Sequence, residues 1–172
     1  KFTVLNSSLV QEGLKKSGDW KYETSAVRKS GIKFGGIKYM SFHIVADSCC
    51  ELTADMKKRE NIEIAPLTLE VGGESILDDE TFDQKYFLKR VAECPECPKS
   101  ACPSPDYFRK SFLNGAERCY AVTLSAQLSG SYNSAVLGAN LAQEENEDLK
   151  IHVFNSRSAS IGETLIVKKI VE

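Results

Sequence analysis

The amino-acid sequence predicts an α/β fold with a mostly parallel sheet and helices on both of its faces. Short apolar runs, such as residues 42–46 and 119–124, alternate with segments of helical periodicity from residue 40 onward. Small polar residues follow several of these runs, as they do in turns that lead from a strand into a helix. Strands that alternate with helices pair in parallel, because each helix must cross over the sheet before the next strand begins.

Turn signals separate the predicted elements, which begin at residue 42. In chain order they are strand 42–46, helix 52–60, strand 62–71, strand 74–77, helix 81–92, a proline-rich loop 94–105, helix 106–116, strand 119–124, helix 132–143, strand 151–154 and helix 160–172. We find no internal repeat.

Proline, glycine and serine mark several of these boundaries. Pro66 indicates an edge strand, because proline has no N–H group for the ladder between strands. Gly72 and Gly73 indicate a hairpin turn. Pro105 suits the first position of a helix, and Ser104 before it suits the N-cap. These signals predict a hairpin in the first half of the chain and a helix that begins where the proline-rich loop ends.

Composition narrows the classes of function. The chain has 172 residues, of which 42% are hydrophobic and 27% are charged, as in a single domain with a hydrophobic core. The formal net charge of -2 gives no support for nucleic-acid binding. No apolar run approaches the roughly 20 residues that a membrane span needs. Because no secretory apolar segment accompanies the six cysteines, we expect a reducing, cytoplasmic location.

The two ends of the chain differ from its central part. Residues 1–39 contain eight basic and three acidic side chains, so their net charge is +5 and the remainder carries -7. We expect residues 1–39 to be a non-native or disordered leader and the domain to occupy residues 40–172, with translation starting at Met40. Residues 161–172 follow a helical pattern without a C-cap signal, so we expect the domain to be truncated there.

A turn rich in serine and glycine after the predicted strand 119–124 is the main candidate site. Its free backbone N–H groups lie at the positive end of a helix and suit an anion such as a phosphate or a carboxylate. Helix capping is the alternative interpretation, since serine is a common N-cap residue. Asp47 and Ser48 follow strand 42–46, and they either support the same site or cap the next helix. Arg157 is expected to pair with a surface carboxylate rather than with a bound anion.

The cysteines suggest two further hypotheses. Cys94, Cys97 and Cys102 resemble part of a zinc site, but a structural zinc site needs four ligands in two pairs, so we predict no metal. Cys49 and Cys50 would be a reactive pair if a helix N-terminus lowered their pKa values. A thiol enzyme is not the favoured interpretation, because no histidine is placed to act as its base.

Residues 42–168 resemble the amino-terminal part of the DegV family. The resemblance rests on five segments that follow one another in the family's order. They are Ala-Asp-Ser at 46–48, Ile-Ala-Pro-Leu at 64–67, Pro-Lys-Ser-Ala-Cys-Pro-Ser-Pro at 98–105, Leu-Ser-Ala-Gln-Leu-Ser-Gly-Ser-Tyr-Asn-Ser-Ala at 124–135, and the strand with its serine-rich turn at 151–162. The resemblance implies the family's amino-terminal α/β domain, with its second domain absent.

What the resemblance implies is a bacterial protein that binds a long-chain fatty acid such as palmitate, with no cofactor and no catalysis by this chain. In the family, hydroxyl groups hold the carboxylate of the acid, and the matching positions are Ser100 and Ser129, with the Gly130 and Ser131 amides nearby. Some members are carriers that present the acid to an ATP-binding fatty acid kinase, which would be the partner. A hydroxyl pair keeps a carboxylate ionised without burying a second full charge.

The chain also departs from the family pattern. Ser100 stands where threonine is usual, and Ala101 and Cys102 replace polar residues, so secondary contacts to the head group are lost. In the family, the second domain closes the lipid tunnel and supplies further head-group residues. Two other functions therefore stay open: a phosphosugar- or dihydroxyacetone-type phosphotransfer module, and a protein-interaction domain without a ligand.

Overall fold

The computed structural model describes residues 33–34, 37–38, 41–59 and 61–172. Within the first 40 residues it describes two short antiparallel strands, β1 (Lys33–Phe34) and β2 (Ile37–Lys38). The rest of the expected leader lies outside the described residues, so its non-native origin, its disorder and the start at Met40 stay predictions. The chain divides into two units, Lys1–Ser41 and Phe42–Glu172.

The second unit contains seven further strands and five helices among the described residues. In chain order they are β3 (Phe42–Asp47), α1 (Ala54–Lys57), β4 (Ile62–Ala65), β5 (Thr68–Val71), β6 (Glu74–Leu77), α2 (Gln84–Glu93), β7 (Lys99–Ala101), α3 (Pro105–Phe112), β8 (Arg118–Thr123), α4 (Ser131–Glu145), β9 (Lys150–Asn155) and α5 (Ile161–Val171).

A four-stranded parallel sheet forms the centre of this unit. Its spatial order is β4–β3–β8–β9, and every neighbouring pair is parallel, which confirms the prediction of a mostly parallel sheet. Successive side chains of a strand point to opposite faces. In β3, Val45 therefore packs into one buried cluster, whereas Ile44 and Ala46 pack into another. Because both faces are covered, the two central strands, β3 and β8, are mostly apolar and buried.

Helices cover both faces of the sheet, as the sequence predicts. On one face, α3 and α4 contribute Phe108, Phe112 and Ala139 to the cluster that contains Val45. On the other face, Met56 of α1 and Val167 of α5 join the second cluster. Burial of these side chains on both faces is the main force that holds the helices to the sheet. No helix among the described residues is long and apolar enough to cross a membrane.

The prediction of a single strand over residues 62–71 is wrong. The chain forms β4 and β5 there, and these two strands belong to different sheets. Pro66 lies at the break, where its missing N–H group cannot continue a ladder. Leu67 instead donates its backbone N–H to Ser48 Oγ at 3.1 Å. The break directs β5 into a small antiparallel sheet of order β6–β5–β7.

The predicted proline-rich loop 94–105 also contains a strand. Residues Lys99–Ala101 form β7 and pair with β5, with Ser100 opposite Leu69. All three side chains of β7 are exposed, so no apolar pattern signals the strand. Backbone hydrogen bonds to β5 alone define it, and the local sequence does not encode such a partner.

Several helix boundaries differ from the predicted ones by a turn or less. The helix predicted over 52–60 is the single turn α1, and its N-cap is Thr53, whose Oγ1 accepts the Met56 N–H at 3.3 Å. Ser104 is the N-cap of α3, as predicted, and accepts the Tyr107 N–H at 3.1 Å. The same helix ends at Phe112 rather than at residue 116. Gly115, with a φ of 93°, supplies the left-handed backbone by which the chain turns away.

Helices α3 and α4 pack unusually closely at Gly138. A Cβ atom at this position would lie 2.6 Å from the Pro105 carbonyl oxygen and 2.7 Å from the Phe108 Cβ. These separations are far below ordinary van der Waals contact. The absence of a side chain at Gly138 therefore determines how near α3, and the loop that precedes it, can come to α4.

Candidate functional site

The carboxyl ends of three parallel strands meet at one edge of the sheet, where ligands of such folds collect. Polar groups tie the loops together at this edge. Asp47 Oδ2, at the end of β3, accepts the Leu124 N–H at 2.9 Å. Asn155 Oδ1, at the end of β9, accepts the Ala126 N–H at 3.2 Å. The turn after β8 is thus held from both of its neighbouring strands.

This turn delivers Ser129, Gly130 and Ser131 to the start of α4. Gly130 occupies the N-cap position and provides no side-chain cap, so Ser129 takes over this role. The Ser131 N–H donates to Ser129 Oγ at 3.2 Å, and the Ser129 hydroxyl in turn donates to Ser131 Oγ at 3.2 Å. The capping interpretation is therefore confirmed for Ser129, while the anion site stays a prediction, with Ser129 partly exposed at the edge.

A cavity of about 440 Å³ opens beside this turn, within the size range of small-molecule sites. Ser100 reaches it from β7, since the small antiparallel sheet lies against the same edge. The cavity is lined by Cys49, Leu67, Ser100, Ala101, Cys102, Leu124, Leu128, Ser129 and Gly130. The structure thus brings together three of the predicted ligand-binding residues, Ser100, Ser129 and Gly130.

Ser131, the fourth predicted residue, lies beneath the cavity wall. Its side chain is fully buried and it does not line the cavity. Its amide is already engaged by Ser129 Oγ. The Gly130 position is restricted for a different reason, because a Cβ there would lie 3.1 Å from Cys102 Sγ. Glycine at this point lets the turn and the β7 segment approach each other.

Asp47 and Ser48 hold backbone segments next to the cavity and do not cap a helix. The alternative interpretation as caps of α1 is wrong, because Thr53 fills that position. Asp47 is fully buried, and its Oδ1 accepts the Cys49 N–H at 3.2 Å. Ser48 Oγ positions Leu67, a residue of the cavity wall. Both side chains thus fix the backbone around the cavity.

Ser134 joins α4 to the segment that carries Ser100. Its buried hydroxyl donates to the Pro103 carbonyl oxygen. Pro103 itself is buried and lies between Cys102 of the cavity wall and the N-cap Ser104. This contact, the close packing at Gly138 and the lack of a side chain at Gly130 all contribute to the short distance between the β7 segment and α4.

A buried pair of carboxyl groups lies under the site, and sequence analysis did not find it. Glu163, in the first turn of α5, is fully buried, and both of its carboxyl oxygens are without a hydrogen-bond partner among the described residues. Burial, and then the charge of Asp47, raise the pKa of Glu163 to about 8. Burial also raises the pKa of Asp47, although hydrogen bonds with Leu124, Glu163, Ser131 and Cys49 oppose this shift.

The hypothesis of a reactive cysteine pair is wrong for this arrangement. The segment after Asp47 is not the start of a helix, because α1 begins only at Ala54. Burial and the nearby carboxyl groups raise the pKa of Cys49 to about 11 and that of Cys50 to about 12. Both thiols are therefore protonated at neutral pH and are poor nucleophiles.

Two further predictions concern a metal site and the side chain of Arg157. Among the described residues, no three or more cysteine, histidine or acidic side chains are grouped closely enough to hold a metal ion. Arg157 is exposed, with a φ of 52°, and its backbone N–H donates to Asn155 Oδ1 at 3.1 Å. The expected pairing of Arg157 with a surface carboxylate is wrong for the part of the chain that the structure describes, where Arg157 forms no ion pair.

Known sequences resemble this chain over most of its length. A DegV domain-containing protein of Streptococcus gordonii is 37% identical over 133 residues, which are 76% of this chain and 47% of the relative. A DegV domain-containing protein of Streptococcus pneumoniae matches to the same extent. The chain thus spans about half the length of the curated relatives that it matches.

Solved structures with this fold include proteins described with bound fatty acids. A DegV family protein from Ruminococcus gnavus, refined with vaccenic acid, is 48% identical, with a TM-score of 0.74 over 77% of this chain and 48% of the other. The fatty acid kinase B3 protein of Streptococcus pneumoniae, loaded with linoleic acid, is 36% identical, with a TM-score of 0.69 over 76% of this chain and 47% of that protein.

The family profile described as an uncharacterised protein of the DegV family matches residues 41–172. This match covers the parallel sheet, all five helices described above and the cavity with its serine side chains. The chain belongs to the DegV family.

Proposed function

We propose that this chain binds a long-chain fatty acid and that the hydroxyl groups of Ser100 and Ser129 hold its carboxylate. The observation that carries the proposal is the convergence of these two serines, from β7 and from the turn before α4, on one cavity. Relatives of the same family are described with vaccenic and linoleic acid bound. The proposal extends that property to this chain, which spans about half of those proteins.

Hydroxyl donors suit a carboxylate at this edge of the sheet. Hydrogen bonds to an ionised group are stronger than neutral ones, and they lower the cost of removing the carboxylate from water. Ser129 donates to Ser131 Oγ and would turn its proton toward a ligand carboxylate. Ser100 has no hydrogen-bond partner for its hydroxyl among the described residues, so its donor is available. The two hydroxyl groups would then set the position and polarity of the head group.

Apolar wall residues suit the start of an acyl chain. Leu67 and Leu124 are buried beside the cavity, and Leu128 is 71% exposed at its rim. Each methylene group that leaves water on binding contributes about 0.8 kcal/mol. The acyl chain would therefore supply most of the affinity, while the serines determine which end of the ligand lies at the sheet edge.

The proposal assigns a carrier role to this chain and no catalysis. A relative is a protein of a fatty acid kinase, which suggests that the bound acid is presented to a separate ATP-binding partner. Phosphoryl transfer would then belong to that partner, and the present chain would need no cofactor or metal. We also propose a bacterial, cytoplasmic setting for this exchange, where such a kinase would find ATP.

Native mass spectrometry of the 172-residue chain with added palmitate tests the proposal. We expect a one-to-one complex that the Ser100→Ala, Ser129→Ala double variant weakens at least tenfold, because each hydrogen bond to a charged group contributes about 1.5–3 kcal/mol. Ser75→Ala is a matched control, since Ser75 is exposed on β6 of the same small sheet and does not line the cavity. If the wild-type chain forms no complex with palmitate, the proposal is overturned and the phosphotransfer or protein-interaction alternatives are favoured.

A further inference from the structure

Two carboxyl groups that share a buried space lie directly behind the candidate carboxylate site. Asp47 ends β3, and Glu163 belongs to the first turn of α5, which packs against the same face of the sheet as α1. Both residues have 0% exposure. Two ionised carboxylates in such a space repel each other strongly, because little water is present to screen them.

The surroundings provide no positive charge to the pair. Among the described residues, no lysine, arginine or histidine forms a hydrogen bond or an ion pair with either carboxyl group. The Cys49 and Cys50 thiols also face the pair, and they are neutral because burial and the two carboxyl groups raise their pKa values. Asp78, the next charged group, acts on Cys49 and adds further negative potential.

The hydrogen bonds of the pair show which member carries the proton. Asp47 accepts two backbone N–H groups, those of Leu124 and Cys49, so its carboxylate is stabilised. Among the described residues no donor group hydrogen-bonds to either oxygen of Glu163, and its side chain lies against that of Asp47, so an ionised Glu163 would be buried without compensation. The positive end of α5 favours an ionised Glu163, but burial and Asp47 outweigh this effect and its pKa rises to about 8.

Hydroxyl groups connect the pair to the cavity. The Ser131 side chain is fully buried close to Asp47 and lowers the pKa of that carboxyl group. Ser129 Oγ donates to Ser131 Oγ at 3.2 Å, and Ser129 lines the cavity. These two hydroxyl groups therefore lie between the charge of Asp47 and a ligand carboxylate in the cavity.

We propose that Asp47 and Glu163 share one proton behind the hydroxyl groups, and that loss of this proton weakens the binding of an anionic ligand in the cavity. This inference rests on the proposed carboxylate site and adds a pH dependence to it. With the proton present, the pair carries one negative charge, and without it the pair carries two. The second charge acts through a poorly screened path, so we expect roughly a tenfold loss of affinity for an anion.

Proton sharing is measurable without any ligand. In the 172-residue chain labelled with ¹³C at the glutamate carboxyl carbon, we expect one carboxyl resonance to titrate between pH 7 and 9 and to disappear in Glu163→Gln. Surface glutamates finish their titration below about pH 6. If no glutamate resonance titrates above pH 6, the shared proton is absent and the inference fails.

The effect on ligands is measured with decanoate, which is ionised throughout this range, and with 1-decanol as its neutral analogue. We expect the Kd of decanoate to rise roughly tenfold from pH 6.5 to 9.5 in wild type and to change much less in Glu163→Gln. The Kd of decanol should not follow this profile, because it carries no charge. A decanoate Kd that is equal at both pH values overturns the inference and leaves the proposed function intact.

Calorimetry of the wild-type chain provides a second measurement that does not depend on a variant. Near pH 8, decanoate binding should take up a fraction of a proton, which appears as a difference in heat between buffers of different ionisation enthalpy. Equal heats in both buffers would contradict the linkage. If neither decanoate nor decanol binds at pH 6.5, the proposed function itself fails, and this outcome is distinct from a flat pH profile.

Discussion

Replacing Gly138 by alanine sets two opposing effects against each other. Alanine in the interior of a helix is favoured over glycine by about 1 kcal/mol, so α4 on its own would gain stability. The new Cβ, however, would lie 2.6 Å from the Pro105 carbonyl oxygen and 2.7 Å from Phe108 Cβ. Relief of both contacts requires α3 to move away by several tenths of an ångström, although its residues Phe108 and Phe112 are fully buried.

Overpacking of this kind costs about 1–3 kcal/mol, and more where backbone atoms are involved. We take about 3 kcal/mol for the clash and subtract about 1 kcal/mol for helix propensity. The expected net loss in the free energy of unfolding is therefore about 2 kcal/mol, or a decrease in Tm of roughly 5–10 °C. Because α3 follows the Cys102–Ser104 segment directly, the variant should also disturb the cavity wall.

Urea denaturation followed by circular dichroism measures the loss. The matched control is Asn140→Ala, an exposed position of the same helix, where alanine should stabilise by a few tenths of a kcal/mol. If Gly138→Ala is as stable as wild type while Asn140→Ala behaves as expected, helix propensity outweighs the contacts. The reasoning about the close approach of α3 and α4 would then be refuted.

Three further predictions concern stability. The pKa of Glu163 is raised from 4.5 to about 8, so the folded state binds more protons than the unfolded state between these pH values. The free energy of unfolding should therefore fall by a few kcal/mol from pH 4.5 to 8. Urea titrations at several pH values should show a shallower fall for Glu163→Gln than for wild type. Ser134→Ala removes the buried donor to the Pro103 carbonyl and should cost about 1–3 kcal/mol in chemical denaturation, whereas a value near zero would mean that water replaces the hydroxyl. Phe108→Ala should cost about 3–5 kcal/mol by thermal or urea unfolding, whereas Leu165→Ala, at a position 62% exposed, should cost under about 1 kcal/mol.

Features that depend on neighbouring residues in the chain were predictable. The apolar runs of the two central strands, β3 and β8, appear in the sequence because these strands are buried on both faces. The N-cap of α3 was predictable from Ser104 and Pro105, which favour a helix start by local geometry alone. The serine-rich turn before α4 was predictable for the same reason, since its composition and its place between a strand and a helix are local facts.

Strand pairing and boundaries were less predictable. The alternation over residues 62–71 does not show that Pro66 separates two sheets, because that outcome depends on which partner strand is free to pair. The strand β7 has three exposed residues, and it exists only because β5, some thirty residues earlier, offers its edge. Sequence periodicity carries no signal for a strand of this kind.

The candidate site also has some features that the sequence predicts and others that it does not. The sequence by itself determined which functional groups are available to a ligand: the hydroxyl groups of Ser100 and Ser129, and a glycine in the turn between a strand and a helix. Only the tertiary structure decided that these serines share a cavity and that Asp47 and Glu163, 116 residues apart in the chain, lie together behind it. The reason is physical. Hydrogen-bond donors and helix caps act within a few residues, whereas burial, charge repulsion and proximity depend on segments that meet only when the chain folds.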